Sequence, residues 1–151
     1  MTDMPTASVP ARALKARPAT TAPRVLLAED DAEMRALLAS TFRSHRYEVI
    51  EARDGRELLD RLTDAMADGR RVDCIVTDVL MPRLTGTEAL RSIRNAGMVI
   101  PVVVITAFGD HATRIDAWLL GAVAVLDKPF DTEDLLRELR RMGIGPVQGG
   151  A

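Results

Sequence analysis

Cys74-Ile75-Val76-Thr77-Asp78-Val79-Leu80-Met81-Pro82 is an apolar run that ends on a carboxylate and then meets a chain-breaking proline. Its unbroken apolarity fits a strand buried on both faces, as in a parallel sheet covered by helices. Asp78 then stands at the strand's carboxyl end, the rim where open α/β sheets gather ligands and chemistry. Glu29 and Asp30 close the earlier run Val25-Leu26-Leu27-Ala28 in the same manner. Carboxylates delivered together by strand ends point to a divalent cation, a reactive acid, or both.

Outward from this run the pattern alternates between strand and helix. Met34, Leu37, Leu38, Thr41 and Phe42 recur at helical spacing, with Asp31 placed to cap the helix start. Residues 47–52 alternate as an edge strand does, and Leu58, Leu59, Leu62 and Met66 mark a second helix closed by Gly69. The third strand spans 72–77. A third helix follows over 84–96, with Leu90 and Ile93 facing inward. The fourth strand spans 100–105 and tolerates Pro101 at its start. A fourth helix over 110–120 ends at Gly121, a fifth strand covers 122–126, and a fifth helix over 131–142 carries Leu135, Leu136 and Leu139 on one stripe. This succession predicts an α/β protein with a parallel sheet, helices on both faces and right-handed crossovers.

At 151 residues the chain is long enough for one sizeable core, and 47% apolar with 28% charged residues is ordinary for a globular protein. A net charge of −2 gives no general pull toward nucleic acid or anionic membranes. The lone Cys74 excludes an internal disulfide and reads as a small buried thiol. No stretch approaches the roughly 18 continuous apolar residues of a membrane span. The first residues lack a basic start followed by an apolar segment, so a cytoplasmic protein is expected. Residues 1–23, rich in proline, alanine and threonine with Arg12, Lys15 and Arg17, are expected to form a disordered extension. The ordered domain is expected over 24–142. The glycine-rich 143–151 is expected to be a flexible tail.

The other strand ends add a hydroxyl and an ammonium. Thr106 closes the fourth strand, and Lys128 with Pro129 follows the fifth. All these carboxyl ends lie on one edge of a parallel sheet. His45 and His111 fall at helix ends and read as surface residues. Oxygen ligands without histidine or cysteine favour a hard cation, Mg²⁺ before Zn²⁺. A carboxylate beside such an ion can attack phosphorus to give an acyl phosphate. Lys128 then suits one phosphoryl oxygen, Thr106 a second and the metal a third. Singly, a strand-end acid is often a helix cap, a lysine a solvated loop residue, and a threonine an ordinary strand end. Their shared rim argues for chemistry.

With these pieces assembled the sequence resembles the receiver domain of two-component response regulators. The resemblance is carried by Leu26-Leu27-Ala28-Glu29-Asp30-Asp31, Asp78-Val79-Leu80-Met81-Pro82, Gly86, Val104-Ile105-Thr106-Ala107, Gly121-Ala122 and Lys128-Pro129-Phe130, in the family's order, over 24 to 142. It implies a flavodoxin-like five-stranded parallel sheet of order 2-1-3-4-5. It also implies Asp78 as phosphoacceptor, charged from a histidine kinase or phosphotransfer protein. Asp30 would be the direct Mg²⁺ ligand, Glu29 would act mainly through water, and Asp78 and the backbone carbonyl of Leu80 would complete the protein's share. Thr106 is implied as the switch hydroxyl and Lys128 as the cation that pairs with the phosphoryl group. Val125 departs from the pattern, because the family often has Tyr or Phe there, three residues before the lysine.

The resemblance therefore implies a stand-alone, chemotaxis-regulator-like receiver that is phosphorylated without being a turnover enzyme. It would signal through the face formed by the fourth helix, fifth strand and fifth helix, without direct nucleic-acid or membrane contact. Homodimerisation through the same helices is a family habit that the sequence leaves open. A receiver-shaped scaffold that works without phosphate is the alternative, and Val125 is its support. A third possibility is an Mg²⁺-dependent hydrolase, which needs a water-positioning group near Asp78; Phe108, two residues after Thr106, is not one. Trp118 reads as core.

Overall fold

The computed structural model describes residues 22–107 and 110–146. Strands and helices alternate in the order β1 Arg24–Ala28, α1 Ala32–Ser44, β2 Glu48–Ala52, α2 Gly55–Ala67, β3 Cys74–Asp78, α3 Gly86–Asn95, β4 Val102–Ala107, α4 His111–Leu119, β5 Ala124–Lys128 and α5 Thr132–Arg141. The strands pair in parallel as β2-β1-β3-β4-β5, the flavodoxin-like order. β3 is therefore the central strand, and every one of its residues is buried. A strand with apolar layers on both sides has no use for polar alternation.

Each face of the sheet carries its own core. Leu26, Ile75, Val102 and Val104 pack beneath Leu58 and Leu62 of α2, Leu90 and Ile93 of α3, and Ala117 of α4. On the other face, Leu27, Val76, Val103 and Ile105 meet Leu38 and Phe42 of α1 and Leu135, Leu136 and Leu139 of α5. Each of the three α5 leucines is at most 1% exposed, and burying one contributes about 2 kcal/mol. Helix starts are fixed locally. Asp31 Oδ1 accepts from the Glu33 and Met34 N–H groups at 3.0 and 3.3 Å, and Thr85 with Glu88 forms a reciprocal capping box.

Several apolar residues expected inside are outside. Trp118 is 48% exposed, and Leu37 and Met66 are also exposed. In α4 the only fully buried residue is Ala117, whose small side chain lets the helix lie close to the sheet and turns the larger Ile115, Trp118 and Leu119 outward. Residues 1–21 of the expected extension and 147–151 of the expected tail lie outside the described residues. Within 143–146, the Tyr47 hydroxyl donates to the Ile144 carbonyl at 2.7 Å, and Ile144 packs on the α1–α5 core.

Cys74 lies fully buried in β3, and desolvation pushes its thiol up to about 12. The folded protein is expected to resist alkylation by iodoacetamide at mildly alkaline pH and to be modified stoichiometrically in urea. Rapid native-state labelling, followed by mass, would contradict that burial.

Candidate functional site

The parallel register places the strand ends side by side. Asp78 pairs with Ile105, Thr106 with Asp127, Ala107 with Lys128, and Ala28 with Thr77. Asp78 is the last residue of β3, and Lys128 is the last of β5 rather than a loop residue. Glu29 directly follows β1, where its N–H donates to the Ala52 carbonyl at 3.0 Å and extends the ladder by one residue. That extra rung carries the Glu29 side chain inward to 1% exposure, while Asp30 stays exposed.

The acids and the lysine meet there. Lys128 Nζ donates to Asp78 Oδ2 at 2.5 Å and to Glu29 Oε1 at 3.4 Å. The other Asp78 oxygen accepts from the Leu80 N–H at 3.3 Å, and Glu29 Oε2 accepts from the Asp31 N–H at 3.1 Å. Glu29, Asp30 and Asp78 each offer an oxygen, all within 4.8 Å of one another. Asp31 is spent on the α1 cap and does not join this cluster.

Burial in this crowd raises the Glu29 carboxyl to about 7, with the nearby Asp78 charge adding to the rise and the Asp31 N–H and Lys128 opposing it. For Lys128, burial works against the charge. The Asp78 hydrogen bond and charge, then those of Glu29, outweigh it and hold the ammonium above its ordinary range. An all-oxygen donor set, negative in excess of its one lysine, fits a hard divalent cation such as Mg²⁺.

Thr106 shares the rim but does not bond to the quartet. Strand alternation groups it with Val102 and Val104 on the α2–α4 face. Its Oγ1 is buried without a hydrogen-bond partner among the described residues. A buried hydroxyl left unmatched costs about 1–3 kcal/mol. Val125, on β5, packs half-buried against the same face, and Phe108 lies outside the described residues.

Sequence reasoning singled out Leu80 and Gly86 in the loop that follows Asp78 but missed how Arg83 ties that loop to Asp54. Gly86 closes the loop by donating to the Val79 carbonyl at 2.9 Å, and a Cβ there would lie 2.1 Å from the Asp78 carbonyl oxygen. Arg83 occupies the left-handed region at φ 69° and donates through Nε and Nη2 to Asp54 Oδ2 at 3.0 and 2.5 Å. Asp54 is buried and also caps α2 by accepting from the Glu57 N–H at 2.8 Å. Burial disfavours its charge, but the Glu57 N–H and Arg83 outweigh that and hold the carboxyl below its ordinary range. The signal within reach was Asp54-Gly55 before an apolar helical stripe, a cap pattern. Nothing in the sequence pairs it with Arg83.

Comparison with known proteins matches residues 25–140 to the response regulator receiver domain. The response regulator MprA of Mycolicibacterium vanbaalenii is 37% identical over 119 residues, covering 79% of this chain and 49% of that protein. The chain thus spans about half the length of such curated relatives. Among solved structures, the chemotaxis protein CheY4 of Vibrio cholerae superposes with a TM-score of 0.71 at 32% identity, covering 80% of this chain and 98% of that one. The receiver domain of Francisella response regulator 1452 gives 0.70 at 27% identity, with 80% and 95% coverage.

Proposed function

Because the chain belongs to the response regulator receiver domain family, we propose that Asp78 accepts a phosphoryl group from the phosphohistidine of a histidine kinase or phosphotransfer protein. The observation that carries this reading is Lys128 Nζ held at 2.5 Å from the Asp78 carboxylate, on a rim shared with Glu29 and Asp30. In the transfer a carboxylate oxygen of Asp78 forms a bond to phosphorus as the phosphorus–nitrogen bond breaks. The electron pair stays on the imidazole nitrogen, which takes up a proton. Asp78 becomes an acyl phosphate. Lys128 then faces the phosphoryl oxygens in place of the carboxylate it holds at rest.

Thr106 brings a second donor to the same edge, and its unpartnered hydroxyl supports a role as the group that turns toward the phosphoryl oxygens. Glu29, Asp30, Asp78 and the Leu80 carbonyl would hold Mg²⁺, which when bound offsets the charge of the phosphoryl oxygens. Movement of Thr106 biases α4, the next helix in the chain, and the readout is altered contact with a protein partner on the α4–β5–α5 face. Arg114 of α4 pairs with Asp127 of β5 on that face, and α4 carries the exposed apolar residues Ile115, Trp118 and Leu119, which supports use of this region as a contact surface. This assignment involves one self-directed transfer rather than enzymatic turnover. It places the protein in the cytoplasm, away from nucleic acid, and allows a homodimer through the same face. No described helix is long and apolar enough to cross a membrane.

Intact mass after incubation with Mg²⁺ and acetyl phosphate tests the proposal. A gain of one phosphoryl group that persists for minutes is the expected result. No gain would favour a phosphate-independent scaffold, for which Val125 at the usual aromatic position speaks. Continuous release of inorganic phosphate would make the protein a hydrolase.

A further inference from the structure

The loop between Asp78 and Gly86 is fastened on two sides, to the sheet through the Val79 N–H on the Ile105 carbonyl at 3.0 Å and to the start of α2. On the site side, the Leu80 N–H reaches Asp78 Oδ1 at 3.3 Å, a long bond. On the far side, the Gly55 N–H donates to the Leu84 carbonyl at 3.0 Å, and a Cβ on Gly55 would lie 2.2 Å from that oxygen. Beside this contact the Arg83 guanidinium places two donors on Asp54 Oδ2. The Asp54 side chain is 4% exposed and that of Arg83 is 64% exposed, so one end of the pair is anchored in the body while the other belongs to the loop.

Arg83 also stands at φ 69°, in the left-handed region that a residue with a Cβ adopts at a cost glycine avoids. A turn that needed only its shape would be better served by glycine. The guanidinium is therefore what an arginine adds at this position, and its only described hydrogen-bond and ion-pair partner is Asp54.

We infer that the Asp54–Arg83 pair positions the loop that carries the Leu80 carbonyl, and that it thereby sets the affinity of the acidic site for a divalent cation. The inference rests on the phosphoacceptor reading above. Arg83 and Asp54 are positioning residues, because neither joins Glu29, Asp30 and Asp78 in the cluster. The pair acts from outside the cluster, much as outer partners orient the groups around a metal.

Titration of the 151-residue chain with MgCl₂ alone, followed by calorimetry without a phosphodonor, tests the inference. Arg83→Gly removes the guanidinium and relieves the backbone at once, so the melting temperature should change little. The Mg²⁺ dissociation constant should rise about threefold or more, short of the roughly tenfold or greater loss that follows removal of a directly bonded outer partner. Asp54→Asn keeps an acceptor for the Glu57 N–H, since Asn caps as well as Asp, yet removes the charge. It should weaken Mg²⁺ to a similar degree, and the double variant should be no weaker than either single one. Unchanged dissociation constants in both single variants, or fully additive effects, would overturn the inference while the phosphoacceptor reading stands. A wild-type chain that binds no Mg²⁺ would overturn both.

Discussion

Asp78→Asn is expected to yield a folded chain that gains no phosphoryl mass from acetyl phosphate under conditions that label the wild type. The argument is chemical before it is structural. An amide is a poor nucleophile and cannot form the acyl phosphate, whereas its shape and its oxygen acceptor are those of the acid. The neighbours also tolerate the exchange. Lys128 loses the Asp78 charge at 2.5 Å but keeps Glu29, and Glu29 is freed of a like charge that helped to raise its carboxyl. These changes oppose one another, so urea unfolding should show a shift of no more than about 1 kcal/mol. Labelling that survives in the variant would move the phosphoacceptor elsewhere. A variant that fails to fold would show that the Lys128–Asp78 pair is structural to a degree its partial exposure does not suggest.

The rim was legible because its logic is one of topology. Once β1, β3, β4 and β5 are parallel, residues that end them must share an edge, whatever the loops do. Parallel pairing alone therefore sets Glu29, Asp78, Thr106 and Lys128 on one edge. Thr106 shows the limit of this logic. The strand end fixes the edge but not the face, and pleating turns its hydroxyl away from the quartet.

What was not legible depends on contacts distant in sequence or on which apolar residues win the interior. Asp54 and Arg83 are 29 residues apart and meet only because two loops pack together with Gly55 against Leu84. Arg94 is similar. It donates to the Leu120, Met98, Ile100 and Gly121 carbonyls, tying the end of α3 to the end of α4. No periodicity announces either tie. In α4 the error ran the other way, since Trp118 suggested core and the structure buries Ala117 instead. Burial favours apolar residues without requiring that every one be inside.

Glu29 is expected to make the stability of the metal-free protein fall as pH rises. Its carboxyl titrates at about 7 in the fold against an ordinary value of 4.5, because burial and the Asp78 charge favour the neutral form. Between those values the folded state holds a proton that the unfolded chain has lost, so each step up in pH favours unfolding. The decline should begin near the unfolded value, be steepest midway between the two, and level off above the folded one. At about 1.4 kcal/mol for each unit of displacement, the whole loss is about 3 kcal/mol. Urea unfolding in EDTA across this range measures it, and Glu29→Gln should remove most of the slope while retaining acceptor capacity for Lys128. The difference between the two chains cancels the other titrating groups. Mg²⁺ should reverse the loss, and more so at the alkaline end, where it no longer competes with a proton for Glu29. A wild type and a Glu29→Gln variant with parallel pH profiles would mean that the buried carboxylate is already compensated, and the electrostatic account of this site would have to be rebuilt around Lys128.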